Sequence, residues 1–262
     1  MRNHRKEFIS HIKRFHGHQT WRVFTDFCEI TACSISNSVS IGALWEKREA
    51  QYMEAIKRYN KTELTLFAQL LAIVVDALTD EMQDFLGGVF MELELGNHWR
   101  GQFFTPYHMG RMMAELTYGT DLPDAFKATD FITLSDPACG AGCMVVAFAE
   151  TMLSKKINYQ QHMHATCIDI DETAAFMAYI QLSLLHVPAT ILIGNTLSME
   201  IRDTYYTPAH VLGGWTFRLA ARHVGQNADQ VAVQKTVVER PTPPALTGSR
   251  VSHQNMQICL FD

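Results

Sequence analysis

The chain has 262 residues, enough for one large core with an annex but not for two independent catalytic domains, because single cores stop growing near about 250–300 residues. Hydrophobic residues make up 47% of it and charged residues 19%, which excludes wholesale disorder and fibrous repeats. The formal net charge is −5, yet residues 1–22 hold six Lys or Arg against Glu7 alone, so a basic, His-rich leader precedes an acidic body. Such a leader suits phosphate contacts and a solvated helix end about equally.

Residues 1–95 are expected to form a helical N-terminal region. EKREAQYMEAIKRY and ELTLFAQLLAIVVDALTDEMQDFLGGVFMELEL are rich in helix formers with apolar positions three and four apart, and Gly87-Gly88 is expected to bend the second stretch. The longest apolar run, Leu70 to Val75, is too short to span a bilayer, so no transmembrane segment is expected. The first thirty residues lack the apolar stretch of a secretory signal. The expectation is a cytoplasmic protein. Six cysteines without a CxxC pair or zinc-ligand spacing point to reduced core residues and no metal.

From about residue 130 the pattern changes. FITLSD (131–136), HATCIDID (164–171) and ATILIGNTL (189–197) read as strands, separated by the helical stretches 144–155 and 172–185. This βαβαβ order predicts an α/β fold with a parallel sheet over residues 96–220. Beyond about 220 the chain turns polar and Gly, Pro, Gln and Thr rich, and 221–262 is expected to be a tail, with Pro243-Pro244 in a linker.

The segment DPACGAG, Asp136 to Gly142, stands between a strand and a helix, where glycines let backbone N–H groups approach a ligand closely. A second carboxylate, Asp169, ends the next strand 27 residues after Gly142, near the spacing at which an acid receives ribose hydroxyls. The turn lacks the full G-x-G-x-x-G. Asp136 at the strand end would repel a pyrophosphate and attract an amino group, so the expected cofactor is S-adenosylmethionine. Asp171 is the rival to Asp169, with helix N-capping as its alternative role.

These residues carry a family resemblance. DFLGGVFMELELGNHWRGQFFTP (84–106), DPACGAG and GNTL (194–197), in that order, resemble the methylation subunits of type I restriction-modification systems and related adenine-N6 DNA methyltransferases, especially small plasmid- or phage-borne orphan members. The resemblance implies a Rossmann-like S-adenosylmethionine-dependent methyltransferase core. It also implies that Phe104 and Thr105 hold the methionine end of the cofactor and that Asp136, Ala138 and Gly140 surround its amino and carboxylate groups. Asp169 would bind the ribose, Ile170 pack on the adenine and Asn195 bond the adenine edge. For Phe103 and Phe104 the alternative is core packing.

The family's Asn/Asp-Pro-Pro-aromatic tetrad, which accepts the target amine and stacks on the flipped base, is missing from this sequence. The nearest candidate is Thr207-Pro208-Ala209-His210, with Thr207 as acceptor, the Pro208 position supplying a carbonyl, and His210, Tyr205 or Tyr206 stacking. A helix start, Thr at the N-cap and Pro at the first position, is the competing reading. Arg202, Trp215, Arg218 and Arg222 suit either a single-stranded nucleic-acid groove or a buried Trp with surface arginines. The terminal Gln257 to Phe261 resembles the bacterial sliding-clamp-binding peptide, with Leu260 and Phe261 as apolar anchors.

The expected activity is methyl transfer to the N6 amine of adenine in DNA. With only a largely polar stretch of 42 residues after Ala220 and no recognition domain, relaxed sequence preference and action on single-stranded or replicating DNA are expected. The alternative is an inactive cofactor-binding protein that acts through protein interaction.

Overall fold

Helical spacing over the first ninety residues becomes five helices in the computed structural model, which describes residues 3–94, 104–118, 129–222 and 257–259. They are α1 (His4–Ile12), α2 (Thr20–Asn37), α3 (Gly42–Ile56), α4 (Lys61–Asp80) and α5 (Phe85–Glu94). Phe103, Pro243-Pro244, Leu260 and Phe261 lie outside the described residues.

The basic leader is docked. Phe8 and Ile12 of α1 are buried, α1 packs on α4 and α5, and Phe8 meets Phe27 and Phe85 edge-on with centroids 5.2 and 5.8 Å away. Burying a Phe in this way contributes about 1.5–3 kcal/mol, more than a surface charge contributes, so the apolar face decides where the leader lies. Arg22 and Arg58 converge on buried Asp26, which also accepts from Tyr59 Oη at 2.7 Å.

α4 begins with a capping box. Asn60 Oδ1 accepts from the amides of Thr62 and Glu63, while Glu63 accepts from the Asn60 amide. By length and composition alone α4 could cross a membrane, contrary to the expectation from its longest apolar run, because Leu, Phe and Ala flanking that run extend its hydropathy. Its buried face, including Leu66, Phe67, Leu70, Ile73, Val74 and Ala77, packs into the helical layer.

The bend or interruption expected at Gly87-Gly88 falls instead at residues 81–84, and both glycines lie in the first turn of α5. They are there for close approach: a β-carbon on Gly87 would overlap the Asp84 carboxylate, and one on Gly88 the Arg5 guanidinium.

The α/β half follows in the expected order. After α6 (Tyr107–Tyr118) come β1 (Ile132–Asp136), α7 (Cys143–Ser154), the short α8 (Tyr159–His162), β2 (Met163–Asp169), α9 (Glu172–Leu184) and β3 (Ala189–Asn195). β4 (Glu200–Tyr206), α10 (Pro208–Leu212), a helix over 215–222 and β5 (Gln257–Cys259) complete the described elements. The strand order is β4-β3-β2-β1-β5, with β1, β2, β3 and β5 parallel and β4 antiparallel to β3. The doubled βαβ unit puts the ends of β1, β2 and β3, at Asp136, Asp169 and Asn195, on one edge of the sheet.

Two strands lie outside the three expected ones. β4, EIRDTYY, is largely exposed and carries no apolar run; backbone pairing with β3 makes it a strand. Gln257–Cys259, expected in a free tail, pair in parallel with Thr133–Ser135 of β1.

Ten consecutive residues of α9, Ala174 to Ser183, are buried, as expected of a helix covered on all sides. The sheet lies on one side of it and α2 on the other. A second tie joins the halves at β4. Fully buried Arg48 of α3 forks onto Asp203 at 2.6 and 2.9 Å, donates to the Thr204 carbonyl at 2.8 Å, and lies 3.5 Å above the Tyr205 ring. Burial alone would raise the Asp203 pKa, but Arg48 and Lys47 hold it below the usual carboxylate value. Removing one partner of such a pair leaves a buried charge. Arg48→Ala is therefore expected to cost about 3–5 kcal/mol in chemical denaturation, and Arg48→Met combined with Asp203→Leu much less.

Candidate active site

β1 delivers Asp136 to the carboxyl edge of the sheet, and the chain then turns through Pro137–Gly142 into α7. Gly140 and Gly142 have φ of 53° and 87°, a left-handed conformation that glycine adopts at least cost. Asp169 organises this turn from β2: its Oδ2 accepts from the Gly140 amide at 2.8 Å and its Oδ1 from the Asp171 amide at 2.8 Å. Cys139 N–H donates to the Ile168 carbonyl at 2.9 Å, fixing the turn to the adjacent strand. Each Asp169 oxygen keeps a lone pair for a further donor.

Asp136 is the unbalanced group. It is 1% exposed, its Oδ1 accepts one long bond from the Ala138 amide at 3.3 Å, and its Oδ2 has no hydrogen-bond partner among the described residues. Burial, reinforced by the negative charge of Asp169, raises its pKa to about 6. A buried carboxylate in this state is complemented by a positively charged donor.

Phe104 closes the other side. Its ring meets Phe90 of α5 edge-on at 4.7 Å, and a β-carbon on Gly140 would come within 2.7 Å of it. Phe104, Thr105, Asp136, Ala138, Gly140 and Met144 are among the residues lining a narrow cavity of about 60 Å3. A space this narrow suits a small polar group and not a whole nucleoside, so a larger ligand must extend beyond it. Ile170, the residue after β2, is 63% exposed. Asn195 ends β3 half-buried, its Oδ1 accepting from the amides of Leu197 and Ser198 at 2.9 and 3.3 Å. The Thr196 hydroxyl donates to the Pro137 carbonyl at 2.5 Å and ties β3 to the turn. The structure thus gathers Phe104, Thr105, Asp136, Ala138 and Gly140 around one cavity, with Asp169, Ile170 and Asn195 on the same sheet edge. Asp171 caps α9, accepting from the Ala174 amide at 2.9 Å.

Thr207, Pro208 and His210 are not brought there, and their catalytic assignment is corrected. β4 runs antiparallel to β3, with Tyr206 opposite Thr190, so the chain returns to the far edge of the sheet before Thr207. The length of β3, roughly 20 Å at about 3.3 Å per residue, separates the two edges. Thr207 is fully buried, donates to the Val187 carbonyl at 2.8 Å, accepts from the Ala189 amide at 2.9 Å and caps α10, with Pro208 in its first turn. His210 is buried against His164, Nδ1 to Nε2 at 2.8 Å, and its Nε2 lies 3.0 Å from Thr216 Oγ1. Trp215 is 1% exposed and carries Arg218 at 3.8 Å over its ring, while Arg222 and Arg202 donate to the carbonyls of Phe131 and Ile170. The buried-Trp arrangement is realised, which removes Trp215 as a base-stacking platform. Among the described residues, five cysteines are free and buried, and no three His, Cys, Asp or Glu side chains are grouped to hold a metal.

Sequence reasoning missed Asp84 and Gln181. Gln181, fully buried on α9, donates to the Ala141 carbonyl at 2.8 Å and to Asp84 Oδ1 at 3.0 Å, and accepts from the Leu86 amide at 2.9 Å. The available signal was a Gln inside the largely apolar helical stretch AAFMAYIQLSLL.

Residues 89–216, a little under half of the chain, match the model of the N-6 DNA Methylase family, a stretch that begins within α5 and takes in β1 to β4 but not β5. No curated protein matches the chain. Three solved structures are similar in part. A putative class I S-adenosylmethionine-dependent methyltransferase from Listeria monocytogenes is 16% identical, with 69% of this chain and 56% of that one covered and a TM-score of 0.38. A type I restriction-modification methyltransferase subunit from Streptococcus thermophilus is 11% identical, with 75% and 58% covered and a TM-score of 0.37. A modification subunit of a putative type I restriction enzyme from Vibrio vulnificus is 17% identical, with 60% and 28% covered and a TM-score of 0.32. The chain thus spans under two thirds of each of these structures.

The buried histidine pair has a pH consequence. Burial lowers the pKa of His164 to about 3 and of His210 to about 4, so the folded protein binds fewer protons than the unfolded chain below the ordinary value of about 6.5. The stability tied to this pair is complete above about pH 6.5 and declines as the pH falls toward 4. Between pH 7 and pH 5, the denaturant midpoint is expected to drop less in a His164→Gln/His210→Asn variant than in the parent.

Proposed function

We propose that the α/β half binds S-adenosylmethionine and that the protein transfers a methyl group to the N6 amine of adenine in DNA. The observation that carries this reading is the buried Asp136 carboxylate, without a partner on Oδ2 among the described residues, in a segment matching N-6 DNA methylases. The residues fit the cofactor: Asp136 offers a negative charge to its amino group, and the N-terminus of α7 with the Gly140 turn suits its carboxylate. Phe104 and Thr105 flank the methionine end together with Ala138. Asp169 retains lone pairs for the ribose hydroxyls, Ile170 offers an exposed aliphatic surface to the adenine, and Asn195 bonds its edge.

When bound, the cofactor supplies an electrophilic methyl group on a sulfonium, so the protein's own task is alignment of the acceptor amine and exclusion of water. DNA is the proposed substrate. Relaxed sequence preference and action on single-stranded or replicating DNA in the cytoplasm belong to the same proposal, supported by the low cost of presenting an adenine already out of a duplex.

Calorimetry with S-adenosylmethionine is expected to show binding that weakens as the pH falls through about 6, where Asp136 gains a proton, and that is lost in Asp136→Ala. Tritiated methyl transfer should appear in DNA, most in single strands, and little in RNA; methylated adenines mapped across plasmid DNA should fall at many sequence contexts. Binding without transfer to any nucleic acid would instead assign the protein a non-catalytic role.

The C-terminal Gln257–Phe261 is proposed as a clamp-docking peptide, on the strength of its residue match alone. Docking would compete with the pairing of Gln257–Cys259 to β1. Purified sliding clamp should retain the full chain and lose it on Leu260→Ala/Phe261→Ala; equal retention of both would rule the peptide out.

A further inference from the structure

The cofactor turn is held by β2 on one side and by Gln181, whose side chain bridges to the helical layer, on the other. Gln181 uses both N–H groups and its oxygen there: one N–H on the Ala141 carbonyl, the other on Asp84 Oδ1, and its oxygen on the Leu86 amide. Asp84 in turn accepts from the Gly87 amide at 2.9 Å and shares a charge interaction with Arg5, which packs on Gly88. Both Gln181 and Asp84 are buried, at 0% and 3% exposure. The corner at residues 84–88 and the turn at 137–142 are thus two segments distant in sequence that meet through one amide. An amide in such a place is costly to leave half-paired, so the two segments are set together or not at all.

We propose that Gln181 is a positioning residue that couples the cofactor turn to the Asp84–Gly88 corner of the helical region. The Ala141 carbonyl sits between Gly140, whose amide bonds Asp169, and Gly142, whose amide bonds the Cys139 carbonyl at 2.8 Å. Fixing that carbonyl fixes the plane of the Ala141–Gly142 peptide, as Asp169 fixes that of Gly140 next to it, and therefore the shape of the turn that lines the cavity with Asp136 and Phe104. Docking of α1 and α5 thereby acts on cofactor affinity without touching the cofactor. The coupling to the cofactor rests on the proposed function above; the coupling to the turn does not.

Three variants separate these contributions. Gln181→Leu loses every bond. Gln181→Glu keeps the acceptor for Leu86 and loses both donors. Gln181→Glu/Asp84→Asn rebuilds the corner, because the amide introduced on the corner donates to the carboxylate introduced on α9 while its oxygen still accepts from Gly87. The same double variant leaves the Ala141 carbonyl without a donor. Amide hydrogen exchange of Gly140 and Gly142 in the cofactor-free protein is expected to rise about tenfold in all three, the equivalent of one buried hydrogen bond. The double variant should regain melting temperature relative to Gln181→Glu while its dissociation constant for S-adenosylmethionine stays about tenfold above the parent's. A purely structural role predicts that affinity and exchange recover together with melting temperature in the double variant, and that result overturns the inference. So does parent-like exchange in both single variants. If the parent protein binds no S-adenosylmethionine, the proposed function fails on its own, and the exchange measurement still decides whether Gln181 positions the turn.

Discussion

Arg48 reaches from the helical layer into the edge of the sheet, and the relation between the two halves depends on it. A guanidinium with no exposure has to be met by a carboxylate, a carbonyl and an aromatic face at once, and Asp203, Thr204 and Tyr205 supply all three from consecutive residues of β4. β4 would otherwise be a solvent-facing edge strand with little apolar content, the kind of element that frays or pairs with other chains. Fixing β4 against α3 also fixes the bulge between Ile193 and Gly194, where β3 ends at Asn195. The edge on which the candidate site stands is therefore shaped partly by a residue far outside it.

The site itself is organised around a mismatch. Asp169 is satisfied by backbone amides, and its charge then raises the energy of ionising Asp136 nearby. A fold optimised for stability alone would pair or remove Asp136; the carboxylate is instead buried, and its Oδ2 has no hydrogen-bond partner among the described residues. The aromatic series Phe8, Phe24, Phe90 and Phe104, with successive centroids 6.3, 6.1 and 4.7 Å apart, runs from the leader helix to the wall of this cavity. The helical region is a structural neighbour of the site through packing as well as through Gln181.

The sequence was most legible where local chemistry and global fold agree. β1, β2 and β3 and the helices between them appear within one or two residues of their expected limits, because apolar runs, strand-end acids and glycine turns all give the same answer. The residues around the cavity are legible in DPACGAG and FTP, because the glycine turn is joined by a second strand-end acid, Asp169, and by the FTP motif; the turn by itself would say little. What stayed hidden depended on pairing across distance: β4 has no apolar signature, and the polar partners of Gln181 come from remote segments. Thr207-Pro208 misled because a helix N-cap and a catalytic acceptor use the same residue type. Only the antiparallel return of β4, which no local pattern encodes, shows which role the backbone permits.

β5 carries a consequence for how the molecule forms. Its three residues pair with Thr133, Leu134 and Ser135, almost half the chain away, so this pairing closes one of the longest loops in the protein for the fewest ladder bonds. Loop-closure entropy opposes such a contact until β1 is already held by β2, which makes the outer edge of β1 the last part of the sheet to assemble. During synthesis, every residue of the cofactor turn emerges before the strand that completes its sheet. By this entropy argument the cavity around Asp136 rests on three parallel strands and the antiparallel β4, with the fifth strand an addition at the edge of β1.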